Sequence, residues 1–595
     1  MEDKSSGKRT IITLMGGATT IVEEYSVCPH CKDWKTGRRV ICHSEALRSI
    51  LPPKTKYGYD VEIEIGYLQY ADNRQVDEIK SIFGETYGIT ISQSQIHELG
   101  IRFLRHMVAQ HYLSAPLLRE LFKYGCVYHV DATCEAGRGM VLAVKEGWTG
   151  IMLGVWKIPT ENEETIGQYL ESVVEAFGEP DAFVSDLGNG MMAAISGVIR
   201  KMGLKSRQLV CHMHFLKAVG KSILEVAFQA LKAQFRQQKL LTNLNQFVKE
   251  IGDIIKPQAA AMRAFVIQWQ NSGTQIQNFS YLESVAVLRA FAQWVIQFGA
   301  DCSGEGFPFA LSYIKLYARC TAALFTTLSL VDKKCLHEQA IKHAKRLQRI
   351  LEEPVLNPEI QKTVRDLKSA ESVFTELRTV LRLEKSDVYK QENDKKEPDS
   401  LSTIARLKEE TSRFHSDLNK RLEIGAVTDV QADAARIVMD YLDKYEPFLF
   451  GHFVMKYDKS GNAVVKLIER TNNIMEKTYR DQKHQIRRRT GAKNLGFVFE
   501  HLFPASAMMV NLENPVYQHA VLNNKTRSDL VDLISQLDNG MDYRNTPMFQ
   551  DDFVVVGGRL PSADKKIVGK PGFSQVVSAL FNEYINSLQL QKREA

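Results

Sequence analysis

Between residues 125 and 215 the chain runs through short elements in an order that sharply limits its fold. Cys126–Asp131, Gly139–Lys145 and Gly150–Ile158 are apolar runs of strand type. The last two are separated by Glu-Gly-Trp-Thr, which predicts a hairpin. Asn162–Phe177 then carries Ile166, Tyr169, Leu170, Val173 and Val174 at helical spacing. Asp181–Ser185 reads as a buried strand, Gly190–Lys201 as a helix and Gln208–Cys211 as another strand. Three strands, then helix, strand, helix, strand, helix predicts a mixed sheet flanked by helices.

That order matches the ribonuclease-H-like fold, whose acids sit at the tip of the first strand and just after the fourth. Asp131, in Val-Tyr-His-Val-Asp-Ala-Thr, and Asp186, in Ala-Phe-Val-Ser-Asp-Leu-Gly-Asn-Gly, occupy those places. A third carboxylate, Glu476, lies far downstream in Glu-Arg-Thr-Asn-Asn-Ile-Met-Glu-Lys-Thr-Tyr-Arg, with Glu469 two turns earlier as its rival. Hard carboxylate oxygens suit magnesium or manganese, and a pair of such ions activates an oxygen nucleophile and stabilises a leaving oxygen at phosphorus. The expected roles are Asp131 bridging both ions, Asp186 holding the one that activates the attacking water or 3′-hydroxyl, and Glu476 completing the other site.

At 595 residues the chain needs several domains. The formal net charge of +6 identifies no partner, but its distribution is uneven. Lys477, Arg480, Lys483, Arg487, Arg488 and Arg489 crowd one helix candidate, Glu469–Arg489. Glu476, Arg480, Lys483 and Arg487 follow there at helical steps, and Arg488 adjoins them. The run is either a solvated face or one that tracks phosphates. The polar, mixed-charge start reads as no secretory signal, no apolar run approaches membrane-spanning length, and nine cysteines make no disulfide framework, so a reducing interior is expected.

Near the start, Cys28-Pro-His-Cys31 has the spacing of a zinc half-site, with Cys42 and either His43 or His30 to complete it; the alternative is a pair of free thiols. Arg74–Tyr87 and the stripe Ile96, Leu99, Phe103, Leu104, Met107, broken by Gly88 and capped by Ser92, predict a helix-turn-helix or an ordinary helical hairpin. From Phe215 to Lys444 the chain reads as helix, with an exposed linker at Glu384–Ser402. A strand at Phe553–Val556 and a helix at Ser574–Leu588 are expected near the end. The anticipated division is a zinc-binding segment at 1–60, a helix-turn-helix domain at 61–120, the first part of the catalytic core at 121–220, a helical insertion at 221–445, core completion at 446–510 and a C-terminal region of unassigned role at 511–595.

His-Val-Asp-Ala-Thr, Val-Ser-Asp-Leu-Gly-Asn-Gly-Met, Cys211-His-Met-His214 and Thr-Asn-Asn-Ile-Met-Glu-Lys-Thr-Tyr-Arg resemble DDE transposases, nearest the Mutator-like branch and related prokaryotic insertion-sequence enzymes. The likeness covers roughly residues 125–220 and 465–495. It implies binding of terminal inverted repeats, strand cleavage at the element ends and transfer of 3′-hydroxyls into double-stranded target DNA. It also implies a dimer or higher oligomer on DNA, in a nucleoid or nucleus. Cys211 and His214 match a Cys-x-x-His pair of that family; they would either steady the active-site helix or contact DNA, and two ligands are too few for structural zinc. The other expectations are a non-catalytic DNA-binding protein derived from such an enzyme and a structure-specific nuclease of the same fold.

Overall fold

Five strands build the central sheet of the computed structural model. The model describes residues 2–32, 37–42, 44–52, 55–135, 138–271, 278–302, 305–383, 401–457 and 463–540. The expected linker at 384–400, the strand at 553–556, the helix at 574–588 and His43 lie outside the described residues. The chain forms two units, Met1–Cys211 with Gly451–Ala595, and His212–Phe450.

The first unit opens with β1 (Glu2–Thr13), β2 (Gly17–Lys32) and β3 (Arg39–Cys42), an antiparallel sheet in that order. The long β1–β2 hairpin is not anticipated above. Its signal was Gly16-Gly17 between β-branched runs, and Gly17 takes the positive φ that such a turn needs. After a short helix, α1 (Glu45–Arg48), come α2 (Tyr59–Tyr70), α3 (Val76–Tyr87), α4 (Gln93–Leu113) and α5 (Ala115–Phe122). Gly88 closes α3 in the left-handed region, and the Ser92 side chain caps α4 by accepting the Gln95 N–H. The anticipated stripe on α4 is buried, so the C-terminal half of that helix serves the core. Gln93, Ser94, His97, Glu98 and Arg105 remain exposed.

The central sheet holds β4 (Val127–Glu135), β5 (Arg138–Glu146), β6 (Met152–Lys157), β7 (Ala182–Ser185) and β8 (Arg207–Val210), in spatial order β6-β5-β4-β7-β8. β5 is antiparallel to both its neighbours, while β4, β7 and β8 run parallel. Helices α6 (Glu163–Phe177) and α7 (Asn189–Met202) make the two crossovers. Downstream, β9 (Phe453–Tyr457) and β10 (Ala463–Leu467) form a separate two-stranded sheet. Val454 and Ile468 of this segment pack with Val127, Val184 and Leu209.

The second unit is helical, beginning at α8 (His212–Gln237) and continuing through α9 (Leu240–Ile255), α10 (Ala259–Asn271), α11 (Tyr281–Ile296), α12 (Ser312–Asp332), α13 (Ile341–Leu356), α14 (Pro358–Val380), α15 (Leu401–Glu423) and α16 (Asp429–Leu449). The insertion therefore spans 212–450 rather than 221–445, because α8 starts directly after the last sheet strand and runs unbroken past 220. Contrary to expectation, one helix among the described residues, Ser312–Asp332, is long and apolar enough to cross a membrane, with mean hydropathy 1.2. Its buried face includes Arg319, which pairs with Asp301 and stacks over Trp294 within the same unit.

The last described stretch returns to the first unit as α17 (Asn473–Thr490), α18 (Gly496–His501), α19 (Ala505–Met508), α20 (Pro515–Ala520) and α21 (Leu530–Gly540). Met508, Leu512, Tyr517, Leu522, Leu530 and Ile534 join the core cluster that also holds Phe103, Leu142 and Val155. Residues 511–540 are thus a piece of that core rather than an appended tail. The sequence reading missed this because α18, α19 and α20, at six, four and six residues, are too short to show a period.

Candidate active site

β4 stays buried through Asp131 and then emerges. Asp131 is not at the strand tip, as anticipated, but in its middle, opposite Ala143 of β5. What ends there is the other edge. β4 pairs with β7 only over Val127–Ala182, Tyr128–Phe183 and His129–Val184. Continuing that register by two residues sets Asp186 beside Asp131. Both acids therefore stand at the carboxyl ends of the parallel pairing, where open α/β sheets form their crevice.

Each aspartate is oriented locally. Asp131 Oδ1 accepts the Ala132 N–H at 2.8 Å, and Asp186 Oδ1 accepts the Gly188 N–H at 3.1 Å, an Asx turn that starts α7. Helix α17 lies over the face of β4 that carries His129 and Asp131. The Tyr479 hydroxyl donates to the Asp131 carbonyl at 2.8 Å, and Lys145, opposite His129 on β5, donates to Thr478 Oγ1 at 2.9 Å. Met475, Tyr479, Gln482 and Ile486 form the buried stripe of α17. Glu476 sits at the edge of that stripe and is exposed.

Burial and then the charge of Asp186 push the Asp131 carboxyl up to about 8 against the pull of the Ala132 N–H, and Glu476 and Glu161 add smaller pushes. Burial and these same acids (Asp131, Asp186 and Glu161) push the Tyr479 phenol well above its ordinary range. Burial holds His129 down at about 4, hence neutral. Glu469 lies outside α17, is exposed, and accepts from Thr471 Oγ1 at 3.2 Å.

Glu161 is a fourth acid that the sequence reading missed. It follows β6 and immediately precedes Asn162, which caps α6. Burial and Asp186 raise its carboxyl. Gly190, in the Asp-Leu-Gly-Asn-Gly run, explains its position: a Cβ there would overlap the Glu161 carbonyl oxygen and lie 2.8 Å from its carbonyl carbon. The signal was that second glycine, placed inside a helix where glycine is otherwise unfavourable. Gly190→Ala is expected to push the Glu161 loop away from Asp186 and to cost about 1–3 kcal/mol as an overpacking change, read by thermal denaturation. An unchanged melting temperature would contradict the close approach.

Among the described residues no group of three or more His, Cys, Asp or Glu side chains is placed to hold a metal ion. Magnesium keeps several waters and needs only one or two carboxylates, so Asp131 and Asp186 side by side are donors of the kind it takes. At the N-terminal sheet Cys28 Sγ accepts the Cys31 N–H at 3.2 Å, and the Cys31 side chain with nearby N–H groups holds the Cys28 thiol below its usual range. Cys42 pairs by backbone with Ser26 on the adjacent strand. Cys28 and Cys31 thus fit half a zinc site, while the Cys42 side chain and His43 lie outside the described residues.

The basic residues of α17 divide. Lys483 pairs with Glu135 at 2.9 Å and lies over Phe499, and Arg487 is half-buried. Lys477, Arg480, His484 and Arg488 are exposed at helical steps. The far end of α17 meets helices α2 and α3 of the same unit: Gln75, just before α3, donates to the Arg488 carbonyl at 3.2 Å, and Arg489 lies over Tyr70 of α2. Cys211 ends the sheet unit, and His214 lies half-buried in the first turn of α8. Neither a protein-family model nor a curated protein matches the chain.

Proposed function

We propose that the chain is a DDE-type DNA transposase acting on double-stranded DNA in a nucleoid or nucleus. The carrying observation is that Asp131 and Asp186 stand side by side where the parallel pairing ends in a sheet ordered β6-β5-β4-β7-β8, with the helix that bears Glu476 packed on the same strand. That order and its antiparallel second strand support a ribonuclease-H-like reading. Asp131, Asp186 and Glu476 would hold two magnesium or manganese ions, which supply an activated oxygen nucleophile and neutralise the leaving oxygen. Tyr479 and Lys145 hold α17, the helix that bears Glu476, on the sheet beside β4. The exposed cations Lys477, Arg480 and Arg488 run along α17 toward α3, a path suited to a phosphate backbone. The Cys28–Cys31 end of β2 and helices α3 and α4 are the proposed end-reading parts, with zinc completing the former. Two ends processed together require a dimer or higher oligomer on DNA.

The test uses purified full-length chain, magnesium and duplexes carrying the sequences that flank its gene. Wild type is expected to nick the ends and join them to target DNA. Asp131→Asn, Asp186→Asn and Glu476→Gln should each reduce both steps by more than about a hundredfold, beyond the effect usual for residues that only support a ligand, with duplex binding retained. Cleavage without joining would replace this reading by a structure-specific nuclease. Binding with neither step in wild type would replace it by a non-catalytic DNA-binding protein.

A further inference from the structure

We propose that Asn472 and Cys211 are positioning residues that register the Glu476 helix against the two strands carrying Asp131 and Asp186. This rests on the metal-centre reading above and gives the cysteine of the Cys-x-x-His run a role within the sheet unit.

Asn472 is the N-cap residue of α17, yet its side chain makes no capping bond to its own helix. An asparagine in that position ordinarily accepts an N–H from the first turn. Here the side chain is turned onto β4 instead. Its Nδ2 donates to the Val130 carbonyl at 3.3 Å, and its Oδ1 meets His129 Nδ1 at 3.0 Å. Since Nδ2 is the donor to Val130, Oδ1 must accept, which places the imidazole proton on His129 Nδ1. The helix start is thereby tied to the two residues that precede Asp131.

Cys211 supplies the second tie. Its Sγ accepts the Asn472 backbone N–H at 3.1 Å, while its own N–H donates to the Ser185 carbonyl at 2.7 Å. Ser185 directly precedes Asp186. One buried junction thus touches the neighbours of all three acids, and His129, Cys211 and Asn472 are each almost wholly buried. Four residues, one turn plus a fraction, separate Asn472 from Glu476, so a shift at the junction moves the third carboxylate directly.

Affinity for Mn2+, followed by electron paramagnetic resonance of the free ion in the full-length protein, tests this apart from activity. Asn472→Ala and Cys211→Ala should weaken Mn2+ binding by about tenfold or more with circular dichroism unchanged. Cys211→Ser, which keeps an acceptor, should restore it to near wild type. Wild-type hydrogen exchange, measured without metal, should show the amides of Asn472, Met475 and Glu476, which donate to Cys211 Sγ and to the Asn472 carbonyl, already protected. Wild-type Mn2+ affinity in folded Asn472→Ala and Cys211→Ala, or rapid exchange of those amides, would overturn the proposal even if a variant fails to fold. The metal reading fails separately: it is lost if Asp131→Asn and Glu476→Gln leave Mn2+ binding intact.

Discussion

Asp131→Asn is expected to make the metal-free protein more stable and, on the proposed metal-centre reading, to abolish Mn2+ binding. An acid whose carboxyl is raised to about 8 by burial and by Asp186, Glu476 and Glu161 costs stability whenever it ionises. The sign follows from the two states. Below the ordinary carboxylate range the group is protonated whether folded or unfolded, and it makes no difference. As pH rises, the unfolded chain ionises first, so folding must take up a proton, and the penalty grows until it is complete above about 8. Each unit of such a shift corresponds to about 1.4 kcal/mol, so the full penalty is on the order of a few kcal/mol. Asparagine keeps the shape and can still accept the Ala132 N–H, but carries no charge. In EDTA at pH 9 the variant should melt on the order of 5 °C above wild type, at about 2–4 °C per kcal/mol, and the gap should close below pH 4. Calorimetry across that range checks it. Equal melting temperatures at pH 9 would mean that the acids do not crowd Asp131.

The second large effect lies away from the acids, in a buried charged cluster that joins the C-terminal helix to the N-terminal ones. Glu62 of α2 is fully buried and pairs with Arg102, and its Oε1 lies 2.6 Å from His106 Nδ1. His106 Nε2 lies 3.8 Å from Asp538 of α21, which also accepts the Tyr59 hydroxyl at 3.0 Å. Burial alone would lower the imidazole, but Glu62 and Asp538 outweigh it and hold it up at about 9. Its contribution is therefore fully present below the ordinary histidine range, near 6.5, and is lost as pH rises through about 9. His106→Gln should destabilise the sheet unit by roughly 3–5 kcal/mol at pH 6, as expected when one partner of a buried ion pair is removed, and by much less at pH 10. Chemical denaturation at the two pH values measures this. A loss independent of pH would show that His106 acts there by packing and not by charge.

Much of the architecture is legible in local sequence. The alternation from Cys126 to Cys211 follows the observed strands and helices element by element, and Gly88 and Ser92 mark the break between α3 and α4. These features survive because period, cap and turn chemistry act within a few residues. Other features were not legible for the opposite reason. Asp131 was read as a strand tip, yet β4 continues to Glu135 on its β5 side and loses only its β7 partner. No pattern within one strand reports where a neighbour stops.

By itself, then, the sequence determined the order of elements and the basic helix that follows Asn472. Tertiary structure alone decided that the Glu161 backbone packs against Gly190, that Lys483 is drawn aside to Glu135, that residues 511–540 complete a core and that Asn472 leaves its own helix to hold β4. Each of these is set by contacts between segments tens to hundreds of residues apart. Local propensity carries no information about such pairs, whereas burial makes every polar group at their junction find a partner.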